Sequence, residues 1–163
     1  MAPIGWLERN FKIYGVDLYG HAGPMPGHAG STITFNNPPE WDREGFFDPD
    51  ARTRVTVPPG YKGRYTVRMT IQWNRGGSQP FTIQDRDQGY FYGELSTNAH
   101  PDGRFQESRV SAAPVVNSTK TVFHLFFEGL LTPGHYIEPL IHYQLPQPAS
   151  ADIWFRMRRL GRQ

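Results

Sequence analysis

The chain has 163 residues, with 17 Lys and Arg against 15 Asp and Glu and a formal charge of +2, a balance too small to argue by itself for a polyanionic partner. Its length suits one domain with a substantial core. The absence of Cys excludes a disulfide framework, and 17 Gly with 15 Pro favour turn-rich β structure over helices.

Residues 1–30 read differently from the rest. Trp6, Phe11, Ile13, Tyr14, Val16, Leu18 and Tyr19 are apolar enough to pack. Residues 20–30 are nearly all Gly, Pro, Ala and His, with Gly-His-Ala-Gly at 20–23 and again at 27–30. High backbone entropy and no periodicity predict a loop or an arm there rather than a core element. It is either a surface loop before the first long strand or an extended arm that orders against a neighbouring subunit. The domain proper is then expected over residues 31–163.

Residues 31–35 read as a short strand with Ile33 and Phe35 on one face, broken by Asn36-Asn37-Pro38-Pro39. The stretch from Trp41 to Asp50 holds Asp42, Glu44, Asp48 and Asp50. Hard oxygen ligands suit calcium, but the EF-hand spacing is missing, so a solvated turn with local Asp hydrogen bonds is expected. Val55 and Val57 alternate with Arg54 and Thr56 in a strand that Pro58-Pro59-Gly60 ends. The clearest signal follows: Tyr65, Val67, Met69, Ile71 and Trp73 on one parity, Arg64, Thr66, Arg68, Thr70 and Gln72 on the other. That is a half-buried strand with one wet face.

After a polar turn at 74–80, Phe81-Thr82-Ile83 is expected to resume a strand, and Asp85 to Gly89 to form a second turn. The aromatic run Tyr90-Phe91-Tyr92 favours core or subunit interface over stacking on a sugar or base. Residues 96–105 are loop-like and 110–117 form a weak edge strand. Residues 121–127 are apolar on both faces: Phe123, Leu125 and Phe127 on one, Val122, His124 and Phe126 on the other. A sandwich covers only one face of a strand, so the second needs another partner, and burial against a neighbouring subunit supplies it. A long strand is expected over 137–145. In a closing one, Ile153, Phe155 and Met157 alternate with Trp154, Arg156 and Arg158.

Gly45-Phe46-Phe47-Asp48, Arg54-Val55-Thr56-Val57-Pro58 and Tyr65-Thr66-Val67, with Trp73 ending the strand, resemble the centre of the C1q/TNF-like jelly roll. The closing Phe155, Met157, Leu160 and Gly161 are similar to the last strand of its bacterial and bacteriophage members. The resemblance runs from about Ser31 to Gly161. It departs at His135, which stands in a turn where the family usually has Asp. The resemblance implies an all-β, two-sheet antiparallel jelly-roll sandwich and a homotrimer whose interface includes the 122–127 strand; the composition of residues 1–30 adds an extended N-terminal arm to that expectation.

No arrangement for catalysis outweighs its structural alternative. The six histidines lack zinc-enzyme spacing, and there is no nucleophile elbow or phosphate-binding glycine loop. Copies of His21 and His28 around a threefold axis are the one metal arrangement with any basis, and ordinary loop histidines are preferred. Arg156, Arg158, Arg159 and Arg162 form the only basic cluster, better read as a solvated face or an inter-subunit contact than as a nucleic-acid patch. The expectation is therefore no enzyme, no cofactor, no metal, no nucleic acid and no membrane.

No basic-then-apolar leader opens the chain and no apolar run approaches a membrane span, so a soluble protein made in a cytoplasm is expected. Secreted members of the family usually carry a signal peptide and a collagen-like stalk, and this chain shows neither. The leading expectation is a virion protein assembled in the host cytoplasm. It would be a trimeric bacteriophage capsid decoration protein bound to the major capsid protein, anchored through Trp6, Phe11, Tyr14 and Tyr19. The alternative is the receptor- or glycan-binding head of a tail fibre or spike, with Trp41, Tyr61, Tyr90 and Tyr92 stacking on a cell-surface sugar.

Overall fold

The alternation at 64–73 becomes β5 (Gly63–Arg75), and Tyr65, Val67, Met69, Ile71 and Trp73 are all fully buried. The computed structural model describes residues 14–25, 29–35, 38–76, 79–103, 109–145 and 147–161. Trp6, Phe11, His28 and Arg162 lie outside the described residues.

β5 pairs on one side with β10 (Ala149–Leu160) and on the other with β8 (Lys120–Leu131). Beyond β10 lie β1 (Gly15–Met25) and then the two-residue β3 (Trp41–Asp42), giving a five-stranded sheet in the order β3-β1-β10-β5-β8. The second sheet runs β2 (Ala29–Thr32), β9 (Tyr136–Gln144), β6 (Tyr90–Thr97), β7 (Val110–Ala112), and β4 (Val55–Thr56) also pairs with β9. Every one of these pairings is antiparallel. The sheets share a core in which Trp73 stacks on Phe91 at 4.8 Å between ring centroids and meets Tyr143 at 5.3 Å. Such offset and tilted aromatic contacts add to what burial alone contributes.

Two expectations about local structure are corrected. Residues 15–25 are not a loop or arm: β1 sits between β10 and β3, with Val16, Leu18 and Met25 buried. The glycines read as loop signals serve close packing instead. A Cβ on Gly20 would come within 2.7 Å of the Ile33 Cγ2 atom, so the chain at 33–35 closes over β1 only because nothing is there. The jelly roll therefore begins by Gly15, not at residue 31.

The second correction is at 81–89, where a strand and a turn were expected. Thr82 caps a short helix, α1 (Ile83–Gln88), in a reciprocal capping box with Asp85. The Thr82 hydroxyl accepts the Asp85 amide at 3.1 Å, and the Asp85 carboxylate accepts the Thr82 amide at 2.7 Å. Satisfying those amides outweighs the weak β preference of a three-residue apolar run. Asp85 is buried and also pairs with Arg75 at 3.1 Å, which ties α1 to the end of β5.

Elsewhere the shifts are smaller. The strand expected at 31–35 runs over Ala29–Thr32, while Ile33 and Phe35 are buried just beyond it. The acid-rich stretch forms the expected turn: the Asp42 carboxylate accepts the amides of Gly45, Phe46 and Phe47 at 2.9–3.0 Å. In the turn that holds His135, the imidazole Nδ1 accepts the Thr132 amide at 3.2 Å. An imidazole thus takes an acceptor place that a carboxylate can fill.

Candidate functional site

The parity of β8 sorts its residues. Phe123, Leu125 and Phe127 point inward and are buried, whereas Val122, His124 and Phe126 point outward and are exposed. Three of the six residues expected at a subunit interface therefore belong to the core of the monomer. The outward row continues to Leu130, and Val122, Phe126 and Leu130 are each about half exposed, at 48%, 49% and 53%.

β8 is an edge strand of its sheet, so the register of its neighbours extends this row into a surface. His124 lies opposite Thr70, Thr70 opposite Trp154, and Trp154 opposite Tyr19. One step along, Phe126 lies opposite Arg68, Arg68 opposite Arg156, and Arg156 opposite Asp17. A shallow depression of about 580 Å³ lies between these rows, with Phe126 and His124 on one side and Trp154 on the other. Its polar contacts are sparse. The Thr70 hydroxyl bonds His124 Nδ1 at 2.9 Å, and the Arg68 guanidinium lies 5.9 Å from the centroid of the Phe126 ring.

At the β1 side the charges are paired. Asp17 binds Arg156 at 3.0 Å and Arg158 at 2.5 Å. Burial alone would raise its carboxyl, but the hydrogen bonds and charges of Arg158 and Arg156 outweigh it and hold the group below its ordinary range. Asp152 accepts from Tyr19 at 2.7 Å, from Asn74 at 2.9 Å, and bonds His21 Nδ1 at 2.8 Å. There too burial raises the carboxyl, and the three hydrogen bonds outweigh it, so it is held low. Two members of the expected basic cluster thus balance a carboxylate of their own sheet. Arg159 bonds the Lys62 carbonyl near Tyr14 and Tyr61.

The other expected site residues are not brought together. Tyr14 packs on Tyr61 at 5.2 Å at one end of β1, while Tyr19 lies within the outward face, 5.6 Å from Trp154. Trp41 lies under the Arg158 guanidinium at 4.4 Å, in the five-stranded sheet. The Tyr61 hydroxyl bonds Glu44 at 2.5 Å. Tyr90 and Tyr92 belong to β6 in the other sheet. Tyr90 is exposed, but Tyr92 is buried, its hydroxyl bonded to Glu94, with the Arg109 guanidinium over its ring at 4.2 Å and the His142 ring at 5.2 Å. Among the described residues no group of three or more His, Cys, Asp or Glu gathers as a metal site would need.

Sequence reasoning missed Trp154 and Leu130 as members of the outward face. Trp154 carried a usable signal, an aromatic on the wet parity of a strand whose other outward residues are Arg156 and Arg158. Leu130 continues the even parity of 122–126 past the end of the expected strand.

No family model matches the sequence, and no curated protein matches it. Solved structures do match. A crystal structure of murine APRIL at pH 8.0 is 12% identical, covers 91% of this chain and 100% of its own, and superposes with a TM-score of 0.52. A second, at pH 8.5, gives 12% and 0.50 over the same shares. The globular domain of zebrafish complement 1qA is 15% identical over 91% of this chain and 99% of its own, with a TM-score of 0.48. At such identity the likeness to the two APRIL structures shows the fold alone, and that fold is the C1q/TNF-like jelly roll.

Proposed function

We propose that the chain is a non-catalytic assembly module that forms a homotrimer through the outward face of its five-stranded sheet. The observation that carries this reading is the apolar content of that face. Val122, Phe126, Leu130 and Trp154 are all between 42% and 53% exposed, although the inner face of the same sheet is fully packed. A soluble monomer gains nothing from such a row, and large apolar side chains gathered half-exposed on one sheet face mark a contact site. The face also carries both signs of charge without an internal partner. Arg68 and Glu40 both line the depression, and neither is in an ion pair among the described residues. A surface holding an unpaired cation and an unpaired carboxylate suits another copy of itself in a ring-closing contact.

Within this reading, the finer role is a virion structural protein that decorates a bacteriophage capsid, with the segment before Tyr14 as its anchor on the major capsid protein. It is preferred to a glycan-binding head because the aromatic residues suited to a sugar are divided between the two sheets, and Tyr92 is buried. Two measurements test the two levels separately. Light scattering over a concentration range is expected to show a species near three times 18.6 kDa. A monomer at every concentration refutes the trimer. Deleting residues 1–13, which leaves β1 intact, is expected to abolish co-sedimentation with the particle, and unchanged co-sedimentation refutes the anchor.

A further inference from the structure

His124 stands at the middle of the outward row of β8, between Val122 and Phe126. Its Nδ1 is engaged by Thr70, while Nε2 has no hydrogen-bond partner among the described residues. The groups that face it are mostly apolar or cationic. From β5 come Arg68, Thr70 and Gln72; across the depression from β10 come Trp154 and Arg156.

The carboxylates within reach are committed or distant. Asp17 is bound by Arg156 and Arg158, and Glu128, four residues along β8, is bound by Arg64 at 2.9 Å. Asp152 holds His21. Glu40 lines the far, β1 side of the depression, where its amide bonds the Asp17 carbonyl. On β8 the other charge is Lys120, a further cation four residues away on the same face.

We propose that His124 makes subunit association acid-sensitive: the trimer forms around a neutral imidazole and separates when that imidazole gains a proton. This rests on the trimer reading above. Covering the face takes the ring out of water between two apolar side chains, and Glu40, the one carboxylate lining the depression that is unpaired among the described residues, is matched by Arg68, so a second cation is desolvated there with no counter-charge left for it. Imidazole is the side chain whose charge changes between about pH 5 and 8, so the change falls in an accessible range. A subunit protonated at position 124 must shed that proton to enter the trimer. By linkage, the trimer association constant then falls by up to about a thousandfold per pH unit on the acid limb, or about 30-fold in the concentration needed for half-assembly.

Sedimentation velocity at fixed ionic strength, at pH 7.5 and pH 5.5, tests the proposal on the wild type, His124→Gln and His124→Phe, with far-ultraviolet circular dichroism recorded on every sample. The expected result is a wild type that is trimeric at pH 7.5 and monomeric but folded at pH 5.5, with the association of each variant the same at both pH values. A wild type that stays trimeric at pH 5.5 overturns the proposal and leaves the trimer standing. Variants that dissociate in acid like the wild type overturn it too, by assigning the effect to another group. Dissociation seen only with loss of the dichroism signal overturns it as plain unfolding. A wild type monomeric at both pH values removes the trimer itself, and this proposal with it.

Discussion

Phe126 and Phe127 are adjacent, identical in chemistry and opposite in parity, which makes them a controlled pair. Phe127 is 8% exposed and belongs to the core; Phe126 is 49% exposed on the outward face. Truncating a buried Phe to Ala costs about 3–5 kcal/mol of folding stability, so Phe127→Ala is expected to lower the melting temperature by roughly 10 °C. Phe126→Ala removes a ring that folding leaves half in water, and its effect on the monomer is expected to stay within about 1 kcal/mol.

The loss from Phe126→Ala is expected in association instead. A Phe side chain has about 200 Å² to bury, and the exposed half at about 25 cal/mol/Å² is worth about 2.5 kcal/mol per subunit. Three subunits give about 7 kcal/mol, or about five orders of magnitude in the trimer constant, as an upper bound because ordering costs offset part of it. Unfolding is measured at a concentration where the wild type is monomeric, and mass by light scattering where it is assembled. If Phe126→Ala destabilises the monomer as much as Phe127→Ala, or leaves the mass unchanged, the division of labour across β8 is wrong.

Two further predictions concern groups near this face and the turn beside it. Asp17 and Asp152 are held below their ordinary range in the folded chain. A depressed folded value contributes stability above the unfolded pKa of about 3.9 and loses it as pH falls through the folded value, so the urea midpoint should drop on acidification below about pH 4. Asp17→Asn is expected to flatten that drop, and a profile identical to wild type counts against the Arg156–Asp17–Arg158 bonds as its source. For the turn, His135→Asp restores an acceptor for the Thr132 amide and is expected to unfold within about 0.5 kcal/mol of wild type, whereas His135→Ala strands that amide and costs about 1–2 kcal/mol. Equal losses in the two variants would show that the imidazole acts through packing rather than as an acceptor.

What the sequence made legible was whatever a strand encodes in its own parity. β5, β8, β9 and β10 were each readable within a few residues because their apolar residues alternate over five positions or more. β1 was not readable as a strand: Tyr14, Val16, Leu18 and Tyr19 show only that the segment can pack. Its order from Gly20 to Met25 comes from β10, more than a hundred residues later in the chain, and from the space its glycines leave for Ile33. α1 was hidden for a different reason. Its signal was the Thr82 to Asp85 spacing of a capping box, set in a run of charged residues that also suits a turn. The candidate glycan residues failed to converge because nearness in sequence does not equal a shared environment. Tyr90 and Tyr92 have the same parity in β6, yet one is exposed and the other lies beneath Arg109.

The doubly apolar character of residues 121–127 looked like one property and is two. The odd residues are required by the monomer, which buries them; the even residues are not, and the fold would keep its core if they were polar. A row that folding does not need, at the edge of a sheet, is a solubility liability unless something covers it. Its neighbours reduce that liability before assembly. Arg64, Arg68 and Arg156 are interleaved with Phe126, Leu130 and Trp154 across three adjacent strands, so the exposed apolar groups are separated by solvated cations. In the proposed trimer the same arrangement has a cost. Arg64 and Arg156 enter such a contact already paired with Glu128 and Asp17, whereas Arg68 has no ion-pair partner within the subunit among the described residues, so a further positive charge beside it at position 124 opposes assembly. Placing a histidine rather than a leucine at position 124 therefore makes the contact weaker in acid than an apolar row would be, and that difference is what the comparison with His124→Phe measures.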